Sequence, residues 1–151
     1  MKLVEVDTPM VKCGKQVALA SWLLASVVGC TSDDRNWKET IPVTGTIFVD
    51  GAAAEGVMLT FHPAGGMDKT QPTETTAMTD SEGQFKASTY EVGDGAPVGE
   101  YTVTFEWPKL NAVSMRFEGD KFKGKYAKLE KSTYRITVES GKPVDMGRLD
   151  L

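Results

Sequence analysis

Side chains that could act as nucleophiles, bases or metal ligands are few in this chain of 151 residues. His62 is the only histidine, and the zinc-binding pattern His-Glu-x-x-His is absent. No Gly-x-Ser-x-Gly segment provides a nucleophile elbow. His62 stands beside Pro63, at an outward position of an alternating strand, so we expect it to face solvent at the end of that strand. The chain is therefore predicted not to be an enzyme, with no catalytic residue, no metal and no cofactor.

Cys30 closes an apolar segment near the start of the chain. Residues 17–28 carry no charge; this run is too short to cross a hydrocarbon core of about 30 Å but suits the apolar region of a signal peptide. The ending Val27-Val28-Gly29-Cys30 resembles the bacterial lipobox, where a peptidase cuts before the cysteine and the thiol carries a diacylglycerol. We expect residues 1–29 to be a lipoprotein signal peptide and Cys30 to be lipidated. The alternatives are an ordinary signal peptide with an unrelated cysteine, or a short buried helix.

Lipidation of Cys30 would determine where the protein resides. Cys13 would be removed with the signal peptide, whether translation starts at Met1 or Met10, so the mature domain would hold no thiol and no disulfide. Residues 30–40 are mostly polar and are interpreted as a lipidated tether. The expected location is the bacterial cell envelope, with the lipid in the inner or outer membrane and the domain facing the periplasm or the exterior. The net charge of -4 gives no support to nucleic-acid binding.

Three acidic residues could bind Ca²⁺ if their loops met at one end of the domain: Asp80, Glu82 and Asp94. Calcium takes six or more oxygen ligands, whereas Asp-x-x-Gly is first of all a turn sequence. We therefore interpret these acids as turn formers.

Aromatic residues provide the other candidate contacts. Phe122 and Tyr126 lie in residues 109–131, which have no regular period and are long for a connection inside a compact domain; we expect this segment to pack over a sheet or an open end. Together with Trp107 they could contact a carbohydrate, although the alternation around Trp107 favours a core position. The lysines of this segment could contact anionic lipid or an acidic polymer, but the interleaved acids favour a solvated mixed-charge surface.

Alternating apolar residues predict strands along the rest of the chain. Residues 101–107 have the cleanest period of two and predict a central strand, whereas residues 75–79 are polar enough to be an edge. Asp50-Gly51 predicts a tight turn, and the turn Asp80-x-x-Gly83 predicts a hairpin. In the last strand the apolar positions change parity, which predicts a bulge at Gly147. The expected fold is all-β: about seven strands in an antiparallel Greek-key β-sandwich over residues 41–151.

The order of the motifs is similar to that of a known family. They are Val43-Thr44-Gly45, Asp50-Gly51, Leu59-Thr60-Phe61-His62-Pro63, Thr79-Asp80-Ser81-Glu82-Gly83-Gln84-Phe85, Asp94-Gly95-Ala96-Pro97, Gly99-Glu100-Tyr101-Thr102-Val103 and Gly124-Lys125-Tyr126-Ala127. With the cysteine motif, they resemble small lipoproteins of planctomycete-type bacteria that carry a carboxypeptidase-regulatory-like (transthyretin-like, prealbumin-like) domain. The resemblance covers about residues 41–151 and implies a seven-stranded sandwich without catalytic residues.

These observations predict a lipid-anchored, non-enzymatic β-sandwich that acts as a structural or interaction module of the cell envelope. Its expected partners are the membrane, through the lipid, and envelope proteins or polysaccharide. The alternative is a carbohydrate-binding domain at the cell surface, with Trp107, Phe122 and Tyr126 as its contacts.

Overall fold

The computed structural model describes residues 36–111 and 113–151, so the predicted signal peptide and Cys30 lie outside the described residues. The described residues form twelve β-strands and one 3-10 turn, Leu129–Lys131. The strands are β1 (Thr40–Ile41), β2 (Val43–Val49), β3 (Ala52–Ala53), β4 (Met58–Pro63), β5 (Thr75–Met78), β6 (Gln84–Lys86), β7 (Ala96–Pro97), β8 (Gly99–Glu106), β9 (Pro108–Asn111), β10 (Arg116–Asp120), β11 (Arg135–Val138) and β12 (Val144–Asp150). Within this part of the chain, no helix is long and apolar enough to span a membrane.

Two sheets provide the layers of the sandwich. One has the strand order β11-β8-β4-β5, and the other has the order β12-β2-β3, with β6 also paired to β2. Thr46 pairs with Gln84 of β6 and with Arg148 of β12, which places β6 on the edge of β2 opposite β12. Two further pairs, β1 with β7 and β9 with β10, form small sheets of their own.

The apolar residues of the alternating segments form the core. Leu59, Phe61, Val103 and Phe105 are at most 1% exposed, and they form one apolar cluster with residues of the second sheet such as Ile47. Successive side chains of a strand point to opposite faces, so a period of two puts these residues on the same dry surface. The predicted central strand and edge strand are both confirmed, because β8 lies between β11 and β4 while β5 ends its sheet.

The strand count and strand directions differ from the prediction. Twelve short strands occur among the described residues rather than about seven, and a seven-stranded Greek key is not confirmed. The pair β2–β12 is parallel rather than antiparallel, with Val144 opposite Val43. The path of the chain explains this direction. The strand β11 runs antiparallel to β8 and ends beside its start, where Val138 pairs with Gly99. The chain then crosses to the second sheet, and β12 begins beside the start of β2, so the two strands run the same way.

The predicted hairpin at the turn Asp80-x-x-Gly83 forms only in part: Thr76 and Ser88 make one antiparallel bridge, with hydrogen bonds of 3.0 and 2.8 Å. The main partners of the two flanking strands differ from the prediction, since β5 pairs with β4 and β6 pairs with β2, so the turn also connects the two sheets. Close packing explains why β6 pairs with β2, since Gly45 of β2 lies opposite Phe85 of β6. A Cβ on Gly45 would be 2.8 Å from Cζ of Phe85. The missing side chain therefore leaves room for the Phe85 ring, which is buried.

Two local predictions are confirmed. Asp50 and Gly51 both have positive φ, 51° and 80°, as a tight two-residue hairpin turn requires, and they connect β2 to β3. At Gly147 (φ 65°) the register of β12 against β2 shifts between Asp145 and Arg148. The Asp145 carboxylate accepts a hydrogen bond of 2.8 Å from the Gly147 N–H, so the bulge is held by its own strand.

The sandwich has two ends, which we name by the path of the chain. The entry pole contains the starts of β2 and β12, at Val43 and Val144, and the far pole contains their ends, near Val49 and Asp150. At the entry pole, Trp37 stacks on Tyr90 with ring centroids 5.0 Å apart.

Candidate functional site

Three aromatic residues singled out from the sequence lie together at the far pole. The rings of Trp107 and Phe122 are 5.5 Å apart between centroids, and those of Phe122 and Tyr126 are 5.1 Å apart. All three are partly buried and pack against the core. The structure thus joins Trp107, Phe122 and Tyr126 into one cluster, the aromatic cluster.

The core positions this cluster. Trp107 follows the last residue of β8, and its indole Nε1 donates a hydrogen bond of 2.8 Å to the Glu55 carbonyl oxygen. Phe105, which is fully buried, makes edge-to-face contacts with Tyr126 at 6.4 Å and with Tyr134 at 4.9 Å. Edge-to-face geometry is favourable for aromatic pairs, so the buried Phe105 ring fixes the position of Tyr126 from the core side of the cluster.

Asp120 organises the loop that carries the cluster. Its Oδ1 accepts hydrogen bonds from the N–H groups of Trp107 and Phe122, at 2.8 and 3.0 Å, and its Oδ2 accepts one from Gly124 at 2.8 Å. Burial alone would raise the pKa of Asp120, but these backbone donors outweigh it and hold the pKa below its usual value. One carboxylate therefore holds the end of β8 against the turn that contains Phe122.

Asp120→Asn is expected to lower the free energy of unfolding by about 1–3 kcal/mol at neutral pH, because the amide cannot accept the Gly124 N–H while keeping Oδ1 in place. Urea denaturation measures this loss. The native pKa lies below the unfolded one, so the stabilisation is present above about pH 4 and is lost as pH falls through the native pKa. The stability difference between the two proteins should therefore shrink in acid.

Asp80→Asn is the matched control. Both of the backbone donors of Asp80, from Glu82 and Gln84, use the same oxygen, Oδ1. An asparagine keeps that acceptor, so the loss should be smaller than for Asp120→Asn. Equal losses in the two variants, or a difference that persists unchanged in acid, would show that the carboxylate of Asp120 does not hold the loop.

Two lysines cover rings of the cluster. The Lys121 Nζ lies 3.8 Å from the centroid of Trp107, and the Lys125 Nζ lies 4.5 Å from that of Tyr126. A hydrogen bond to the Tyr126 hydroxyl raises the pKa of Lys125. Cation–π contacts of this kind occupy the ring face on which a sugar would stack. Stacking on Trp107 from that side would therefore require Lys121 to move.

The remaining predicted candidates lie elsewhere. His62 is on the outer face of its sheet, where its Nε2 is 2.9 Å from the Thr104 hydroxyl, and it is half-buried rather than fully in solvent. Thr104 is buried and also belongs to that outer face, so this threonine is the neighbour that covers part of the ring. Across residues 36–111 and 113–151, no group of three or more His, Cys, Asp or Glu side chains could hold a metal ion.

The acids considered for Ca²⁺ hold their own loops. Asp94 accepts hydrogen bonds from the N–H groups of Thr89 and Tyr90, at 2.7 and 3.0 Å. The Asp80 carboxylate accepts bonds within its own turn, and Glu82 accepts one from the Ser81 hydroxyl at 2.8 Å. These contacts agree with the interpretation of the acids as turn formers.

One element near the cluster was missed. Part of the segment without a clear period is a hairpin, β9 with β10, in which Leu110 pairs with Phe117. The available signal was a matched pattern, since each of these two residues stands between polar neighbours. The organising role of Asp120 was also missed, because its partners include Trp107, thirteen positions away.

No family model matches the chain, and no curated protein matches it. Among solved structures, a crystal structure of a 9R-lipoxygenase from Cyanothece PCC8801 is similar at 15% identity, with a TM-score of 0.37. That match covers 75% of this chain and 16% of the lipoxygenase chain. A likeness at this level carries no inference about activity.

Proposed function

We propose that this protein is a lipid-anchored, non-enzymatic structural or interaction module of the bacterial cell envelope, attached through Cys30. The observation that carries the proposal is the uncharged segment of residues 17–28 followed directly by Gly29-Cys30. Several acyl chains on one cysteine would make attachment close to permanent, since each buried CH₂ contributes about 0.8 kcal/mol. We also propose that the sandwich is of the carboxypeptidase-regulatory-like type, on the order of its motifs.

The geometry at the entry pole supports a short anchor. Trp37 stacks on Tyr90, and the Lys38 ammonium pairs with the Asp68 carboxylate, so the chain contacts the domain from about residue 37 onward. Six peptide units separate Cys30 from Asn36, and they reach at most about 20 Å. A lipid on Cys30 would therefore keep this part of the domain near the bilayer.

The far pole is then the place for a partner. The aromatic cluster and its lysines lie at the opposite end of the sandwich from Val43 and Val144, so a protein or polysaccharide bound there would not compete with the anchor. Carbohydrate binding is the less supported alternative, because the rings of the cluster contact one another and two lysines.

Cys30→Ser is expected to leave an unprocessed precursor and to abolish incorporation of a palmitate-type fatty-acid probe. The reason is that the serine hydroxyl cannot form the thioether to diacylglycerol. The measurement is mass and probe labelling of the protein expressed in a bacterium. Cys13→Ser is the control and should be processed and labelled as the natural protein is. Normal processing and labelling of the Cys30 variant would refute the anchor.

A further inference from the structure

A cavity of about 220 Å³ lies beside the aromatic cluster at the far pole, and we name it the lysine cavity. Two segments of the chain line it. The first contributes Tyr126, which also belongs to the cluster, and the second leads directly into β11. The lining residues are Lys125, Tyr126, Lys131, Ser132, Thr133 and Tyr134.

Both segments are held on the same edge of β8. The Tyr126 carbonyl oxygen accepts a hydrogen bond of 3.1 Å from the Phe105 N–H, and the Tyr134 carbonyl oxygen accepts one of 2.9 Å from the Val103 N–H. The Ser132 hydroxyl donates to the Val103 carbonyl oxygen. Because β11 begins one residue after Tyr134, this part of the edge is shared by two separate segments, and the cavity lies between them.

The core fixes the two aromatic walls of the cavity. The buried Phe105 ring contacts the rings of both Tyr126 and Tyr134 edge-to-face, at 6.4 and 4.9 Å between centroids. The walls are therefore positioned by the fold itself, and a site that is formed in advance does not spend binding energy on ordering its side chains.

The lining has an excess of hydrogen-bond donors. It carries two ammonium groups and four hydroxyl groups, and no carboxylate. Among the described residues, no side-chain hydrogen bond or ion pair engages the Lys131 ammonium, the Thr133 hydroxyl or the Tyr134 hydroxyl. The Tyr126 oxygen accepts a hydrogen bond of 2.6 Å from Lys125, so the phenol hydrogen can still donate to another acceptor.

Two of these donors are held in their protonated forms. The hydrogen bond to Tyr126 raises the pKa of Lys125, and burial raises the pKa of Tyr134. At neutral pH the first therefore carries a positive charge, and the second keeps the hydrogen that it can donate.

Two acids act on the cavity from outside its lining. Asp50 contributes to the raised pKa of Lys125, and Asp150 contributes to that of Tyr134. The Asp150 carboxylate is already paired with the Arg148 guanidinium at 2.8 Å. Neither acid lines the cavity.

The charge around the cavity remains positive when its sequence neighbours are included. Lys128 and Glu130 lie outside the lining and carry opposite charges. Lys125 and Lys131, which do line it, then stand against Asp50 alone. The donors and the charge together select an anionic ligand.

We propose that the lysine cavity binds a phosphoryl group. Such a group carries negative charge and three strong acceptor oxygens, which match ammonium and hydroxyl donors on two walls. A lysine binds phosphate as a point charge, whereas a planar carboxylate is matched best by the fork of an arginine. No arginine lines this cavity.

The phosphoryl group belongs to a phosphorylated polysaccharide or to a free phosphate ion. The cavity is smaller than the pockets of about 300–1,000 Å³ that enclose a drug-sized ligand, so it takes the phosphoryl group and at most part of a carrier. A headgroup of the membrane that holds the anchor is a poor source, because the cavity is at the opposite pole. This last step rests on the proposed function, whereas the chemistry of the cavity does not.

The test is calorimetric titration of the full chain as a bacterium produces it, kept in a non-ionic detergent. Inorganic phosphate and glucose 1-phosphate should bind, and glucose should not. Tighter binding of glucose 1-phosphate would assign the site to a phosphorylated sugar, and equal affinities would assign it to the free ion. Binding does not depend on lipidation, so failure of the anchor and failure of the cavity are separate results.

Variants with a matched control sharpen the test. Lys131→Gln should weaken the binding of inorganic phosphate about tenfold or more, because a hydrogen bond from a charged donor is lost. Tyr134→Phe should also weaken it while the thermal midpoint stays the same, since the ring that contacts Phe105 is kept. Lys128→Gln is the control; it removes the same charge outside the cavity and should change the affinity less than about twofold.

Three results would overturn the proposal. One is the absence of binding by both inorganic phosphate and glucose 1-phosphate. Another is an equal loss of affinity in Lys128→Gln and Lys131→Gln, which would assign the binding to the general charge of the surface. The third is glucose binding as tightly as glucose 1-phosphate, since the sugar and not the phosphoryl group would then be recognised.

Discussion

Replacing Gly83 with alanine is expected to lower the free energy of unfolding by more than about 3 kcal/mol. A Cβ at this position would lie 2.4 Å from the carbonyl oxygen of Ile47, which is backbone of the central strand of the second sheet and cannot rotate away. Gly83 also has a φ of 74°, a conformation that adds a cost of about 1 kcal/mol for alanine.

Gly56→Ala isolates the cost of the backbone conformation. Gly56 has nearly the same φ, 75°, but no atom lies within 4 Å of its added Cβ. Its loss should be about 1 kcal/mol. Urea denaturation of both variants gives the difference, which should exceed about 2 kcal/mol. Similar losses in both would mean that Gly83 is needed only for its φ and that the turn does not press on Ile47.

The expected size of this effect follows from the position of the turn. The Ile47 N–H donates a hydrogen bond of 2.8 Å to the Gly83 carbonyl oxygen, directly before β6 joins β2. A side chain at position 83 would push the turn away from the sheet and would also weaken the packing of the Phe85 ring against Gly45. The loss would therefore extend to the connection between the two layers.

Phe105→Ala is expected to cost about 3–5 kcal/mol. The Phe105 side chain is fully buried, so its removal leaves a cavity where β8 meets the aromatic cluster. It also removes the edge-to-face contacts with Tyr126 and Tyr134. Chemical denaturation measures the loss, and near-ultraviolet circular dichroism should show a weaker aromatic signal.

Phe117→Ala is the matched control, because it deletes the same side chain from an exposed position on the β9–β10 hairpin. Its effect on stability should stay within about 0.5 kcal/mol. A Phe105 variant as stable as the Phe117 variant would contradict the assignment of Phe105 to the core.

Local sequence patterns were enough to predict the surface that each strand buries. Leu59, Phe61, Val103 and Phe105 follow from a period of two, and the bulge at Gly147 follows from a change in that period. These features depend on residues a few positions apart, because side-chain direction along a strand is a local property of the backbone.

The candidate contacts could be predicted only as residue types. Trp107, Phe122 and Tyr126 were selected because they are aromatic residues in or beside an irregular segment, and the structure brings them into contact. The lysines that cover them and the role of Asp120 depend on how the loop folds back on β8. The sequence pattern near Leu110 predicts two faces, but it does not tell whether the apolar one is covered.

The sequence by itself determined the all-β class, the inward positions of the strands and the turn at Asp50-Gly51, and it also predicts lipidation of Cys30. Only the tertiary structure decided that β6 takes β2 as its main partner, that β12 runs parallel to β2, and that Leu110 and Phe117 stay exposed. The physical reason is distance along the chain. Strand partners are chosen when remote residues such as Gly45 and Phe85 pack together, and their fit depends on the shape of the assembled core.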